Sequence, residues 1–87
     1  MDASEHKKLY NAIDEILWND WDPIGVNGIA PRDEYQSYTP IIFKLKTNGA
    51  DKEAIAKRLH EIETVTIGVI GNLDHCREIA GRILNLQ

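Results

Sequence analysis

The chain has a single cysteine, Cys76, among its 87 residues, so no disulfide can form within it and nothing points to an oxidising compartment. No apolar run approaches the roughly 20 residues that a bilayer-spanning helix needs. The opening stretch, Met1 to Lys8, lacks the basic-then-apolar pattern of a secretory leader, and the expected location is the cytoplasm. No basic helix with interleaved aromatics is present, and the net charge is −4, so nucleic acid is not an expected partner. Gly25 and Gly28 come without the lysine and the preceding strand of a phosphate loop.

What is present reads as one small globular domain covering residues 1–87, with 43% hydrophobic and 28% charged residues. Leu9, Ile13, Ile16 and Leu17 recur at helical spacing and predict a first helix from about Ala3 to Asn19, capped at Asp2 or Ser4. Pro23 and Gly25 end it, and residues 22–32 read as a long loop. A short helical turn at 34–38 bends at Thr39-Pro40 into a second helix that ends at Asn48-Gly49. Asp51 caps a third helix with Ile55, Leu59, Ile62 and Thr66 on one side. It closes near Gly68 through the β-branched run Thr64 to Ile67. A fourth helix begins near Asn72 and turns Leu73, Cys76, Ile79, Ala80, Ile83 and Leu84 inward. The expected fold class is all-α, a four-helix antiparallel bundle with a long first loop.

Candidate chemistry is sparse. Asp20, Asp22 and Gly25 resemble the start of a calcium loop, but Ile24 and Pro31 occupy positions where ligands are required. His75 and Cys76 are adjacent and point apart on a helix, and one cysteine with no paired histidines does not make a zinc site. His60, Glu61 and Glu63 read as exposed helix polar residues, and Cys76 as a small core residue. No metal, cofactor or catalytic residue is expected.

One region stands apart. Between Asp14 and Glu34 lie Asp14, Glu15, Asp20, Asp22, Asp33 and Glu34 against Arg32 alone, a local charge of −5, while everything else sums to +1. Trp21, Tyr35 and Tyr38 fall in or beside this stretch. Aromatic residues next to charge are common interface anchors. The expected protein-binding residues are therefore Trp21, Asp22, Arg32, Asp33, Glu34, Tyr35 and Tyr38. The plainer alternative is a solvated acidic connector with its aromatics packed inward.

In Trp21-Asp22-Pro23-Ile24-Gly25, Asp33-Glu34-Tyr35-Gln36-Ser37-Tyr38, Gly49-Ala50-Asp51 and Ile62-Glu63 the chain is similar to a family of small, mostly bacterial helical proteins of unknown function. The similarity covers roughly residues 9 to 66 and departs from the family pattern at Thr64 to Ile67. It implies a compact α-helical domain with no established catalysis. Some members sit beside polymorphic toxin genes, which implies an immunity role for part of the family.

The expected function is thus a non-enzymatic helical module that binds another protein, in its concrete form an immunity or antitoxin-like protein covering a basic toxin surface. Two alternatives stand beside it. One is a small metal- or carboxylate-dependent enzyme using Asp22, Glu34 and a carboxylate of the third helix. The other is a structural homodimer.

Overall fold

Asp2 starts the first helix. Its extended backbone stays outside the helical region while its carboxylate accepts the Glu5 N–H at 2.8 Å. The computed structural model describes residues 2–23, 25 and 35–86. Helix α1 runs over Ala3–Ile16 and continues into a widened turn, Leu17–Trp21, closed by an i+5 hydrogen bond from Asp22 N–H to the Leu17 carbonyl at 3.1 Å. Most of the long loop expected at 22–32 lies outside the described residues, as does Glu34 of the turn expected at 34–38.

A turn closed by Tyr38 N–H on the Tyr35 carbonyl at 3.0 Å leads into α2, Thr39–Thr47. Pro40 sits in the first turn of α2, where its missing N–H costs no helical bond. Tyr38 holds the cap position without a side-chain bond, because Thr39 is already helical and donates its hydroxyl to Asp14 at 2.9 Å instead. Asp51 opens α3, Lys52–Glu61, by accepting Ala54 N–H at 2.8 Å. A second widened turn, Ile62–Ile67, ends at Gly68 in the left-handed region, φ +89. Asn72 then caps α4, Leu73–Leu84.

Side-chain contacts give the helix directions. Lys52 at the start of α3 lies against Gly81 toward the end of α4, while Glu63 beyond the end of α3 meets Cys76 near the start of α4, so these two helices are antiparallel. The His6 and Phe43 rings pack at 5.7 Å, and Thr39 meets Asp14, so α1 and α2 also run opposite ways. The chain is an all-α bundle, and no strand occurs among the described residues.

The core joins Leu9, Ile13 and Leu17 of the first helix to Ile42, to Ile55, Leu59 and Ile62, and to Cys76, Ile79 and Ile83. Each fully buried Leu or Ile contributes roughly 1.5–3 kcal/mol. Exposed pairs such as Arg77 with Glu53 add little beside that.

Two inward positions differ from the pattern. The widened turn shifts the inner face by one residue, so Thr66 is exposed and Ile67 packs on the core in its place. Leu73 is 36% exposed, because it is the first residue of α4 and precedes the turn that reaches α3.

Candidate functional site

Glu63 is the centre of the end of the bundle where both widened turns meet. It is a carboxylate with only 2% of its surface exposed. One oxygen accepts the Trp21 indole N–H at 3.0 Å. The other accepts the Asn72 backbone N–H at 3.0 Å and the Cys76 thiol at 3.1 Å. Burying a carboxylate is costly unless donors replace water, and here three neutral donors do so. None of the ion pairs among the described residues includes Glu63.

This arrangement binds three segments together. Trp21 closes the first helix, Asn72 opens α4, and Glu63 lies in the turn that ends the third helix. The Glu63 carbonyl also accepts Gly68 N–H at 3.0 Å and Val69 N–H at 2.9 Å, which folds the connector back over the helix end. At Gly71, φ +81, the chain passes so close that a Cβ there would lie 2.8 Å from Thr64 Cγ2 and 3.2 Å from Glu63 Oε1. Only glycine fits that approach. Burial and the Glu63 carboxylate push the Cys76 thiol up to about 12. Cys76 is therefore a protonated donor across the physiological range and a poor nucleophile.

Asp22 follows Trp21 with φ +33, a left-handed conformation that is uncommon outside glycine but tolerated by aspartate. Its carboxylate accepts the Tyr35 hydroxyl at 2.6 Å. Behind it the rings of Trp21 and Tyr35 pack at 5.6 Å, Trp18 and Tyr35 at 5.9 Å, and Trp21 and Tyr38 at 6.0 Å. His75 Nε2 lies 2.9 Å from the Asp20 carbonyl, and the Asp20 carboxylate pairs with Arg82 at 3.2 Å. Charge-assisted bonds to Glu78 and Asp20 push the Arg82 guanidinium further up.

Between the two helix ends lies an open cleft of about 550 Å³. Asp22 and Pro23 form one side, Gly68 to Asn72 the other, and Glu63 and His75 also line it. Ile70 stands at its edge with 95% of its surface exposed, and Val65, at the end of the third helix, is 75% exposed.

The expected contact residues are thus divided. Trp21 and Tyr35, each 2% exposed, belong to the core and cannot form a contact surface, because their rings fill the bundle end and their polar atoms are bonded inside it. Asp22 and Tyr38 are half-buried. Arg32, Asp33 and Glu34 lie outside the described residues, so the pairing of Asp22 with Glu34 does too. Asp20 is tied to Arg82, which spreads the acidic focus seen in the sequence.

Sequence reasoning placed Glu63 on the exposed face, and the structure reverses this. Two signals pointed inward. Glu63 continues the four-residue spacing of Ile55 and Leu59, and a buried Trp21 needs an acceptor for its indole N–H. The roles of Gly71 and Asn72 had no comparable signal.

Among the described residues no group of three His, Cys, Asp or Glu side chains could hold a metal ion. None of the described helices is long and apolar enough to cross a membrane. Comparison with protein families, curated proteins and solved structures finds no match to this chain.

Proposed function

We propose that this chain is a non-enzymatic protein-binding module whose contact surface is the bundle end around the cleft, and that its partner presents a basic surface. The observation that carries this reading is Ile70, an isoleucine 95% exposed on the rim of a cleft that two carboxylates line. Protein contacts set an apolar centre within a polar rim, and Ile70 with the apolar Pro23 and Val69 beside Asp22 and His75 has that composition. Asp22 and Glu63 lend the cleft negative character, which favours a cationic partner and repels phosphates. The similarity of the Trp21 to Gly25 and Asp33 to Tyr38 segments to a family with toxin-adjacent members supports the immunity form of the proposal, in which the basic surface belongs to a toxin.

The test is site-specific photocrosslinking in the native cell, with the crosslinker at position 70 and, as control, at exposed Lys57 on α3. A discrete adduct to one basic protein from position 70 alone is expected. With that protein in hand, Ile70→Asp should weaken binding by at least about tenfold, or 1.4 kcal/mol. Equal adducts from both positions, or none, would reject the surface.

A carboxylate-dependent enzyme is the second reading, supported by Asp22 and Glu63 lining the same cleft. The three donors already on Glu63 disfavour it, since a general base must be free to take a proton. A stoichiometric metal ion in protein purified without a histidine tag would favour it.

A further inference from the structure

We infer that Asn48-Gly49, at the joint between α2 and α3, is a site of spontaneous covalent modification, where the asparagine closes to a succinimide and reopens as isoaspartate or aspartate. The joint lies at the other end of α3 from the cleft, so the site is independent of the proposed contact surface.

The step needs a backbone nitrogen beside a carboxamide, with no side chain in the way. The Gly49 nitrogen gives its proton to solvent base and attacks the Asn48 Cγ. The bond from Cγ to the side-chain nitrogen breaks, and ammonia leaves with a proton returned from solvent. Water then opens the ring at either carbonyl. One opening gives aspartate. The other gives isoaspartate, whose main chain runs through the former side chain and is longer by a methylene.

Asn48 is exposed and closes α2 with φ −88 and ψ 4. Its carboxamide makes no hydrogen bond among the described residues. Those of Asn72 and Asn19 are held, the first accepting His75 N–H at 3.0 Å and the second donating to Glu15 at 3.0 Å. Asn27 also precedes a glycine, but it lies outside the described residues. Gly49 is exposed, and nothing lies within 4 Å of where its Cβ would stand, so the ring has room. Lys44, four residues before Asn48 on the same face of α2, brings positive charge to the oxyanion that forms on attack.

One bond opposes the step, from Gly49 N–H to the Lys46 carbonyl at 3.1 Å. It belongs to the last turn of a helix, where opening costs little, and the same opening frees Asn48 from ψ 4. The products then alter the joint. A carboxylate at position 48 sits at the carbonyl end of α2, where negative charge is unfavourable. Isoaspartate also lengthens the chain ahead of Ala50, which packs on the core, and of Asp51, which caps α3 through Ala54 N–H at 2.8 Å.

The test holds the folded protein in mildly alkaline buffer beside a synthetic peptide of residues 47–52. Trypsin cuts after Lys46 and Lys52 and frees the same segment from the protein, with a zero-time digest as reference. That segment should gain the mass of an acid in place of an amide and divide into two products, isoaspartate the larger. Its conversion in the folded protein should run within about tenfold of the free peptide, because helix ends open readily. Segments holding Asn11, Asn19, Asn72 and Asn85 should keep their mass, and Asn48→Gln should leave 47–52 unchanged. In the converted fraction the Ala50 and Ala54 amides should shift while the Trp21 indole resonance stays in place.

An unchanged segment in the protein while the free peptide converts would overturn the site. A lone aspartate product would overturn the ring, since direct hydrolysis gives no isoaspartate. Equal conversion at the other asparagines would overturn the part assigned to Gly49. Unmoved Ala50 and Ala54 amides in the converted protein would overturn the effect on the joint.

Discussion

The first and third helices end in the same manner but are closed by different residues. Each widens its last turn to an i+5 bond, Asp22 N–H on the Leu17 carbonyl and Gly68 N–H on the Glu63 carbonyl. Each then turns left-handed, at Asp22 with φ +33 and at Gly68 with φ +89. Gly68 does this without steric penalty, whereas Asp22 carries some strain and keeps a carboxylate at the cleft. The Gly68 end can be understood from chain geometry alone. The Asp22 end has an extra feature that chain geometry did not demand, a carboxylate that accepts the Tyr35 hydroxyl at 2.6 Å.

Glu63 couples the two ends, so its removal should have the largest effect. Glu63→Ala strands the Trp21 and Asn72 N–H groups and opens a cavity, and should cost about 3–4 kcal/mol in urea denaturation. A loss below about 1 kcal/mol would show that the ends are independent. The connector is next. Gly71→Ala meets Thr64 at 2.8 Å and adopts positive φ, and should cost about 2–3 kcal/mol, against about 1 for Gly68→Ala, where nothing lies within 4 Å. Equal costs would mean that backbone angle, not crowding, controls this connector.

The thiol gives a smaller, pH-dependent effect. The folded Cys76 is raised to about 12 from an ordinary value of 9.0. Both states stay protonated below about pH 9, so the stability is fully present there. Above it only the unfolded thiol ionises, and stability falls as pH rises toward 12. At pH 10 the loss relative to Cys76→Ala should be about 1 kcal/mol, and a flat difference between pH 8 and 10 would refute burial beside Glu63 as the cause. The smallest effect belongs to Asp22→Asn, expected to alter stability by less than about 0.5 kcal/mol because asparagine tolerates the left-handed backbone and still accepts the Tyr35 hydroxyl. A large destabilisation would make Asp22 a structural residue and end the contrast between the two helix ends.

Much of the helical plan was legible in the order of the residues. Asp2, Asp51 and Asn72 each cap where capping residues precede a periodic apolar run. Pro40 sits in a first turn, as its chemistry requires, and the β-branched run to Ile67 ends a helix rather than forming a strand without a partner. Thr39 illustrates the limit. Its local options included a cap, but the acceptor that won its hydroxyl, Asp14, lies 25 residues away in sequence.

The candidate site was legible only in outline. The sequence directed attention to Trp21, Asp22, Tyr35 and Tyr38, and these do meet at one end of the bundle. It misassigned which of them face water, because an aromatic residue beside acidic ones looks alike whether it is an anchor or a plug. Glu63 was missed for a related reason, since a glutamate is ordinarily solvated and the widened turn shifts which residues face inward.

By itself the sequence determined an all-α chain, where its helices start and which apolar stripes they bury, because these follow from spacings of three and four residues and from local backbone chemistry. Only the tertiary structure decided that Trp21 and Tyr35 turn inward, that Glu63 is sealed by three donors, and that Ile70 stands in solvent beside a cleft. Those outcomes depend on which distant segments come to lie together, and no local rule carries that information.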